Sequence, residues 1–163
     1  MPLVFKEIKS EDFILIRKWF KNPHVKEVWE NEEFEEPYEE YIFRTSDETI
    51  KQFILYYNST PIGYFQFYWA SKVGNNWWPG IDPETVGIDF YIGETSFLGR
   101  GIGTLIILNA LEFLFKDKSI NRIIADPSPN NLKIIHLLTK CGFQSKGEIN
   151  TPDGKAILME LKR

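Results

Sequence analysis

The chain has little of the chemistry that holds disulfide scaffolds and metal centres. Its one cysteine, Cys141, excludes an internal disulfide and a cysteine-based metal cluster. Its two histidines, His24 and His136, lack the spacing of a metal site or a catalytic triad. No apolar run approaches the roughly 20 residues of a membrane span, and the first ten residues do not resemble a signal peptide. We therefore expect a cytoplasmic protein without a metal or a membrane contact.

The net charge of the chain is also small. The 163 residues include 19 basic and 23 acidic side chains, which gives a net charge of −4, and 43% of the chain is hydrophobic. This composition is typical of a globular protein, and the length fits one domain over residues 1–163. A negatively charged chain is a poor binder of nucleic acid, so we expect no nucleic-acid partner. We expect the protein to be a monomer or a homodimer.

The acids are concentrated in one place. Eight of them lie between Glu27 and Glu40, and the same segment carries Trp29 and other aromatic residues. A charge run of this kind is commonly a solvated surface. It can also form an acidic wall that attracts a cationic substrate. The sequence leaves both interpretations open.

Apolar periodicity and turn residues predict the element order β-α-α-β-β-β-α-β-α-β-β, an α/β fold with a mixed sheet. The first helix is expected to begin after a Ser10 cap, and the assignment of residues 38–45 stays open. The other predicted helices cover 24–29, 104–115 and 130–140. Strands are predicted at 4–8, 50–57, 62–68, 85–92, 120–125, 143–149 and 156–161.

A glycine-rich turn is the most informative segment. Gly99, Gly101 and Gly103 follow the strand at 85–92 and open an apolar helix. Glycines let the backbone approach a bulky ligand, and the start of a helix favours anions. Arg100 and Thr104 can add side-chain donors to a pyrophosphate. The alternative is a turn that serves only to reverse the chain.

These residues, together with the segment from Asp126 to Asn131 and the run Cys141-Gly142-Phe143, resemble the GNAT N-acetyltransferase superfamily. Segments 61–66, 76–78 and 151–154 are similar to its aminoglycoside 6′-N-acetyltransferases in particular. The family's phosphate loop reads Arg/Gln-x-x-Gly-x-Gly/Ala, and here Leu98 replaces the usual Arg or Gln. The resemblance implies the GNAT acyl-CoA N-acyltransferase fold, a mixed and mostly antiparallel sheet of about seven strands flanked by helices.

The resemblance also implies acetyl-CoA as the acyl donor. Its pantetheine arm would pair with the backbone of one strand, and its pyrophosphate would lie on the glycine turn. Asn131 would bond the arm, although an Asn at this place is also a common helix cap. The implied donor-binding residues are Tyr91, Ile92, Leu98, Gly99, Arg100, Gly101, Ile102, Gly103, Thr104 and Asn131.

The implied acceptor site is built on two carboxylates. Asp89 lies in mid-strand, where aspartate is uncommon, and a buried carboxylate needs a partner. The resemblance places Asp89 and Asp126 as catalytic residues beside the acceptor amine, with Asp89 helping to remove its proton. Trp77 and Trp78 would flank the substrate. The alternatives are structural aspartates, an ordinary Asp-Pro turn, and tryptophans that pack on the sheet edge.

The tyrosine that commonly acts as general acid in this superfamily is replaced here by Leu138. A thiol of pKa near 8.5 can leave without such help. The sequence thus predicts an N-acetyltransferase for a small polycationic amine, foremost the 6′-amine of an aminoglycoside. Two alternatives remain. One is an acyltransferase for a lysine-derived amine in siderophore synthesis, although such enzymes favour a histidine at the position of Asp89. The other is a non-catalytic CoA-binding module.

Overall fold

The structure is a computed structural model that describes residues 3–29, 49–73 and 78–163. Trp77, the stretch 38–45 and the acids of the acidic segment beyond Glu27 lie outside the described residues.

The predicted order of strands and long helices is confirmed. The strands are β1 (Val4–Glu7), β2 (Ile50–Tyr57), β3 (Thr60–Trp69), β4 (Thr85–Ile92), β5 (Arg122–Ala125), β6 (Gln144–Thr151) and β7 (Gly154–Lys162). The helices of the described part are α1 (Phe13–Phe20), α2 (Pro23–Val28), α3 (Ala70–Val73), α4 (Ile102–Phe115) and α5 (Leu132–Lys140). The short helix α3 and the 3-10 turns at Ser10–Asp12 and Thr95–Phe97 were not predicted.

Several helix starts differ from the prediction. Ser10 lies inside a 3-10 turn rather than capping α1, because the Asp12 carboxylate accepts the Lys9 amide at 2.8 Å and closes that turn instead. Helix α2 begins at Pro23, whose fixed φ suits a first helical position. Helix α4 begins at Ile102, directly after the glycine turn.

The seven strands of the described residues form one mixed sheet, as predicted, and their order across it is β1-β2-β3-β4-β5-β7-β6. Strands β4 and β5 are parallel, with Gly87 opposite Ile124, whereas β1 with β2, β5 with β7 and β6 with β7 are antiparallel.

The residues pack into two compact units, to which β3, β4 and α4 each contribute a part. The first unit holds Met1–Phe67 with Asp89–Ile102, and the second holds Tyr68–Ile88 with Gly103–Arg163. The apolar faces of α1 and α2 fill the core of the first unit. Its buried members are Phe13, Ile16, Trp19, Val25, Ile54, Tyr64 and Tyr91.

Arg122 organises the edge of the second unit. Its guanidinium reaches Glu160 at 3.2 Å, the Thr85 hydroxyl at 3.0 Å and the Gly80 carbonyl at 2.9 Å. Arg122 and Glu160 are both almost fully buried, so each charge is compensated by the other. This network fixes β5 between the start of β4 and the end of β7 within that unit.

The tightest glycine contact of the first unit is between Gly93 and Trp19. A Cβ at Gly93 would lie 2.1 Å from the buried indole. We expect Gly93→Ala to lower the free energy of unfolding by about 1–3 kcal/mol, the cost of overpacking, in urea denaturation. Gly80→Ala is the control, because Gly80 has φ +68° and open space around it. That variant should lose only about 1 kcal/mol, and equal losses would contradict the packing argument.

Candidate active site

The Asp89 carboxylate is held by a chain of hydrogen bonds between neighbouring strands. The Gln66 amide on β3 donates to Asp89 Oδ2 at 3.0 Å. The Tyr64 hydroxyl donates to Gln66 Oε1 at 2.9 Å, which fixes the orientation of that amide. Asp89 is only partly buried. The carboxylate predicted in mid-strand is thus an oriented acceptor rather than a buried ion.

A cluster of aromatic rings supports this chain. Tyr64 stacks on Tyr91 of β4 with centroids 5.4 Å apart and planes inclined by 15°. Trp29 meets both rings edge-on, at 5.6 Å from Tyr64 and 5.5 Å from Tyr91. Because Tyr64 is clamped between neighbours, its hydroxyl has a fixed direction toward Gln66. Trp29, predicted only as a member of the acidic segment, therefore has a packing role.

Asp126 is bonded to one of the predicted tryptophans. The Trp78 indole nitrogen donates to Asp126 Oδ2 at 3.1 Å. Trp78 is buried, and one of its faces stacks on Tyr68 at 5.4 Å. Tyr68 lies against Gly87, where a Cβ would come within 2.1 Å of its ring. Trp78 is thus packed at the sheet, as the alternative interpretation had it, and its polar edge serves Asp126.

The environment of Asp126 favours its protonated form. Burial raises the pKa of this carboxyl above its ordinary 3.8, and the negative charge of Asp153 raises the pKa further. The hydrogen bond from Trp78 acts in the opposite direction but is the smaller effect. A carboxyl with a raised pKa in an enzyme is a candidate for acid–base work.

The glycine turn has an open backbone. Gly99 and Gly101 have φ of +70° and +75°, and an added Cβ at either would meet nothing within 4 Å. Helix α4 follows at once with 14 residues, and the first four amides of a helix have no acceptor within it. Ile102 is buried, so its contribution to a ligand is limited to its backbone.

The side chains around this turn have other partners. Arg100 lies over the Phe97 ring at 5.1 Å and donates to the Ser96 carbonyl at 3.3 Å. Gly103 is needed for packing, because a Cβ there would lie 2.9 Å from Leu137 of α5. The open backbone, rather than these side chains, is what the turn presents to an anion.

Helix α5 carries two further predicted positions. Asn131 caps the helix through its side-chain oxygen, which accepts the Ile134 amide at 3.3 Å. The cap uses the oxygen of the side chain and leaves its NH₂ group to other acceptors. Leu138 is buried, so it contributes packing at the place of the family's tyrosine.

Other chemistries find little support within the described ranges. Burial raises the pKa of the Cys141 thiol, so it is a poor nucleophile at neutral pH. Among residues 3–29, 49–73 and 78–163, no group of three potential metal ligands comes together. No described helix is long and apolar enough to cross a membrane.

The sequence did not predict the partners of the two carboxylates. Gln66 was noted only as part of a motif, and Tyr64 and Tyr68 were assigned to a strand. The available signal was a polar residue amid apolar strand formers, as at Gln66, because such a residue needs a partner.

The two aspartates at positions 117 and 126 allow a test of the raised pKa by stability. A carboxyl whose pKa is raised by folding adds stability below its unfolded pKa, near 3.8, and loses it as the pH rises through the folded value. We therefore expect the free energy of unfolding of Asp126→Asn, relative to that of the wild type, to increase as the pH rises from about 4 to about 7.

Asp117→Asn is the matched control, because hydrogen bonds from Ser119 lower the pKa of Asp117. Its carboxylate adds stability above the unfolded pKa and loses it only as the pH falls below that value, so the stability of this variant relative to the wild type should stay nearly constant between about pH 4 and about pH 7. Urea denaturation at both pH values measures the two slopes, and parallel slopes would contradict the assignment.

Comparison with known proteins places this geometry in a family. The chain matches the acetyltransferase (GNAT) domain over residues 9–151. It is 36% identical over 160 residues to aminoglycoside N(6′)-acetyltransferase type 1 of Klebsiella pneumoniae, which covers 94% of this chain and 80% of the relative. It is 24% identical to a lysine N-acyltransferase of Mycobacterium tuberculosis, over 99% of this chain and 78% of that protein.

A solved structure agrees with the fold. The crystal structure of aminoglycoside acetyltransferase AAC(6′)-Ib with coenzyme A and kanamycin superposes with a TM-score of 0.89 and 33% identity. The match covers 99% of this chain and 95% of the other. The predicted fold and the predicted acetyltransferase relationship are confirmed, and the chain belongs to the GNAT acetyltransferase family.

Proposed function

We propose that this chain, as one catalytic domain over residues 1–163, transfers the acetyl group of acetyl-CoA to the 6′-amine of an aminoglycoside. The observation that carries the proposal is the oriented carboxylate of Asp89, which Gln66 holds at 3.0 Å in a GNAT acetyltransferase fold. An anionic, partly buried oxygen suits a cationic amine, and acyl transfer to nitrogen needs a base beside that amine.

Asp89 has two tasks in this proposal. Its negative charge attracts the ammonium form of the acceptor and orients the nitrogen. The ammonium must lose one proton before its nitrogen can attack the acyl carbon, because only the neutral amine has a free lone pair, and the carboxylate helps to remove that proton. The Gln66 amide keeps the carboxylate in one orientation throughout, which is the benefit of a preorganised base.

Asp126 is the second carboxylate of the proposed acceptor site. Its Trp78 partner fixes the direction of one oxygen at 3.1 Å. Because an aminoglycoside carries several ammonium groups, one of them beside Asp126 would favour the carboxylate form of this residue against the effect of burial. The packing of Trp78 on Tyr68 supports a positioning role for this indole toward Asp126, beside the substrate contact that we propose for Trp77 and Trp78.

The residues of the glycine turn fit the CoA pyrophosphate. The backbone at Gly99 and Gly101 is open, and the start of α4 provides amides and the positive end of the helix dipole. The remaining residues of the proposed donor site are Tyr91, Ile92, Leu98, Arg100, Ile102, Gly103, Thr104 and Asn131. Acetyl-CoA supplies the acetyl group as a thioester, and the thiol of CoA is a good leaving group.

No acid is assigned to the leaving thiol. Leu138 is buried and has no proton to give, and the thiol's pKa near 8.5 makes it a competent leaving group alone. The assignment of an amine as acceptor does not depend on such an acid.

The relatives and the carboxylates support an aminoglycoside as the acceptor. The chain is more similar to the Klebsiella enzyme, at 36%, than to the lysine N-acyltransferase, at 24%. Release of free thiol from acetyl-CoA, measured with kanamycin, spermidine and N-hydroxylysine, separates the candidates. Turnover with kanamycin alone supports the proposal, and turnover only with the lysine derivative overturns it. Tight CoA binding without turnover would indicate a binding module.

Replacing Asp89 by its isosteric amide tests the base. We expect Asp89→Asn to lower kcat/KM for kanamycin by about 10²-fold or more, the usual effect of losing a positioned base, with CoA affinity retained. Thiol release and calorimetry measure the two quantities. Asp117→Asn, in the turn that follows α4, should match the wild type, and normal turnover in Asp89→Asn would remove Asp89 from the reaction.

A side chain in the glycine turn tests the donor site. Gly101→Val places a branched Cβ into the open space beside the turn, and we expect CoA affinity to fall by about tenfold or more in calorimetry. Gly147→Val is the control, because Gly147 also has positive φ and open surroundings. Both variants carry similar backbone strain, so equal CoA affinities in the two would contradict the donor site.

A further inference from the structure

The end of β4 is held by side chains from the first two helices. His24 Nε2 lies 2.8 Å from the Ile92 carbonyl oxygen, and the Asn22 amide donates to the Gly93 carbonyl at 2.9 Å. The Trp19 indole donates to the Glu94 carboxylate at 2.9 Å. Three successive residues thus each receive a bond from these helices, and Glu94 Oε1 also accepts one from Lys18 Nζ at 3.3 Å. None of these donors belongs to the proposed catalytic or donor-binding residues.

Strand β3 holds the same segment from the opposite edge. The amides of Gly93 and Glu94 donate to the Ile62 carbonyl at 2.7 and 3.1 Å. In an extended strand the polar groups of successive residues point to opposite edges. The Tyr91 carbonyl oxygen, which lies against Gly63 of β3, and the Gly93 amide both face β3, so the polar groups of Ile92 between them point away from β3. His24 therefore occupies the edge of β4 that β3 leaves unpaired.

The bond to Ile92 fixes the protonation of the imidazole. A carbonyl oxygen only accepts, so Nε2 of His24 must carry a proton. The neutral ring with its proton on Nε2 and the doubly protonated ring both satisfy this condition. Nε2 of His24 is therefore the donor of this bond in either form.

We infer that His24 is a positioning residue for the acyl donor, fixing the peptide group of Ile92 at the end of the edge along which the pantetheine arm pairs. This inference rests on the proposed function, which assigns Tyr91 and Ile92 to that pairing. A carbonyl held by His24 stops the strand edge from twisting, and it defines where pairing ends. The thioester then arrives at one fixed position, and small displacements there are costly to acyl transfer.

Asn22 and Trp19 make the arrangement rigid. They fix the two residues that follow Ile92, and Gly93 has no room for a side chain beside the indole. His24 is the member of this set that contacts the strand itself, so its replacement tests the inference most directly.

His24→Leu removes the donor, whereas His24→Gln keeps an N–H group of similar reach. We expect His24→Leu to lower kcat by about 10²-fold, with the affinity for CoA lacking an acyl group within about twofold of the wild type. His24→Gln should restore kcat to within about tenfold of the wild type. His136→Leu is the control, because His136 is the other histidine of the chain and lies on the exposed side of α5. This variant should behave as the wild type.

Hydrogen exchange of the Ile92 amide, measured by NMR, adds a readout that needs no acceptor. Acetyl-CoA should slow this exchange in the wild type and in His24→Gln but not in His24→Leu. Unchanged kcat in His24→Leu would overturn the inference. The inference would also be overturned if His24→Leu and His24→Gln lost kcat, CoA affinity and melting temperature to the same extent as each other. Such losses indicate a merely structural role. If the wild type releases no thiol from acetyl-CoA, but acetyl-CoA still slows hydrogen exchange of the Ile92 amide, the proposed function is refuted. The role of His24 then stands.

Discussion

The hydrogen bond from Gln66 to Asp89 is the interaction on which the proposed chemistry depends. A carboxylate in mid-strand is costly unless something holds it, and the bond of 3.0 Å does so from the next strand. The Tyr64 hydroxyl orients the amide, and Tyr64 is fixed in turn by its stack on Tyr91. The aromatic core of the first unit thereby determines the direction of one charged oxygen.

Donor and acceptor make different demands on the chain. A pyrophosphate is recognised well by backbone amides, so the turn at Gly99 and Gly101 needs open space more than particular side chains. A polycationic acceptor is attracted by negative charge, which we propose Asp89 supplies, with the neutral Gln66 amide beside it. A change of acceptor would thus be expected to alter side chains and leave the turn unchanged.

Periodicity and turn chemistry predicted the fold because they act locally. The long helices and the strands agree with the prediction, and the errors lie at element ends, such as Ser10, where a carboxylate competes with a hydroxyl. The site residues came from the family resemblance. The partners Gln66, Trp78 and His24 could not be predicted, because each lies 23 or more residues away from the group it bonds, and no local pattern encodes such pairs.

We propose above that this carboxylate-based site acetylates one particular nitrogen of an aminoglycoside. The most direct measurement is NMR of kanamycin after incubation with the enzyme and acetyl-CoA, which identifies the nitrogen that carries the new acetyl group. The account predicts a single product acetylated at the 6′-nitrogen, released with one equivalent of thiol. Acetylation at another nitrogen, or a mixture of products, would contradict it.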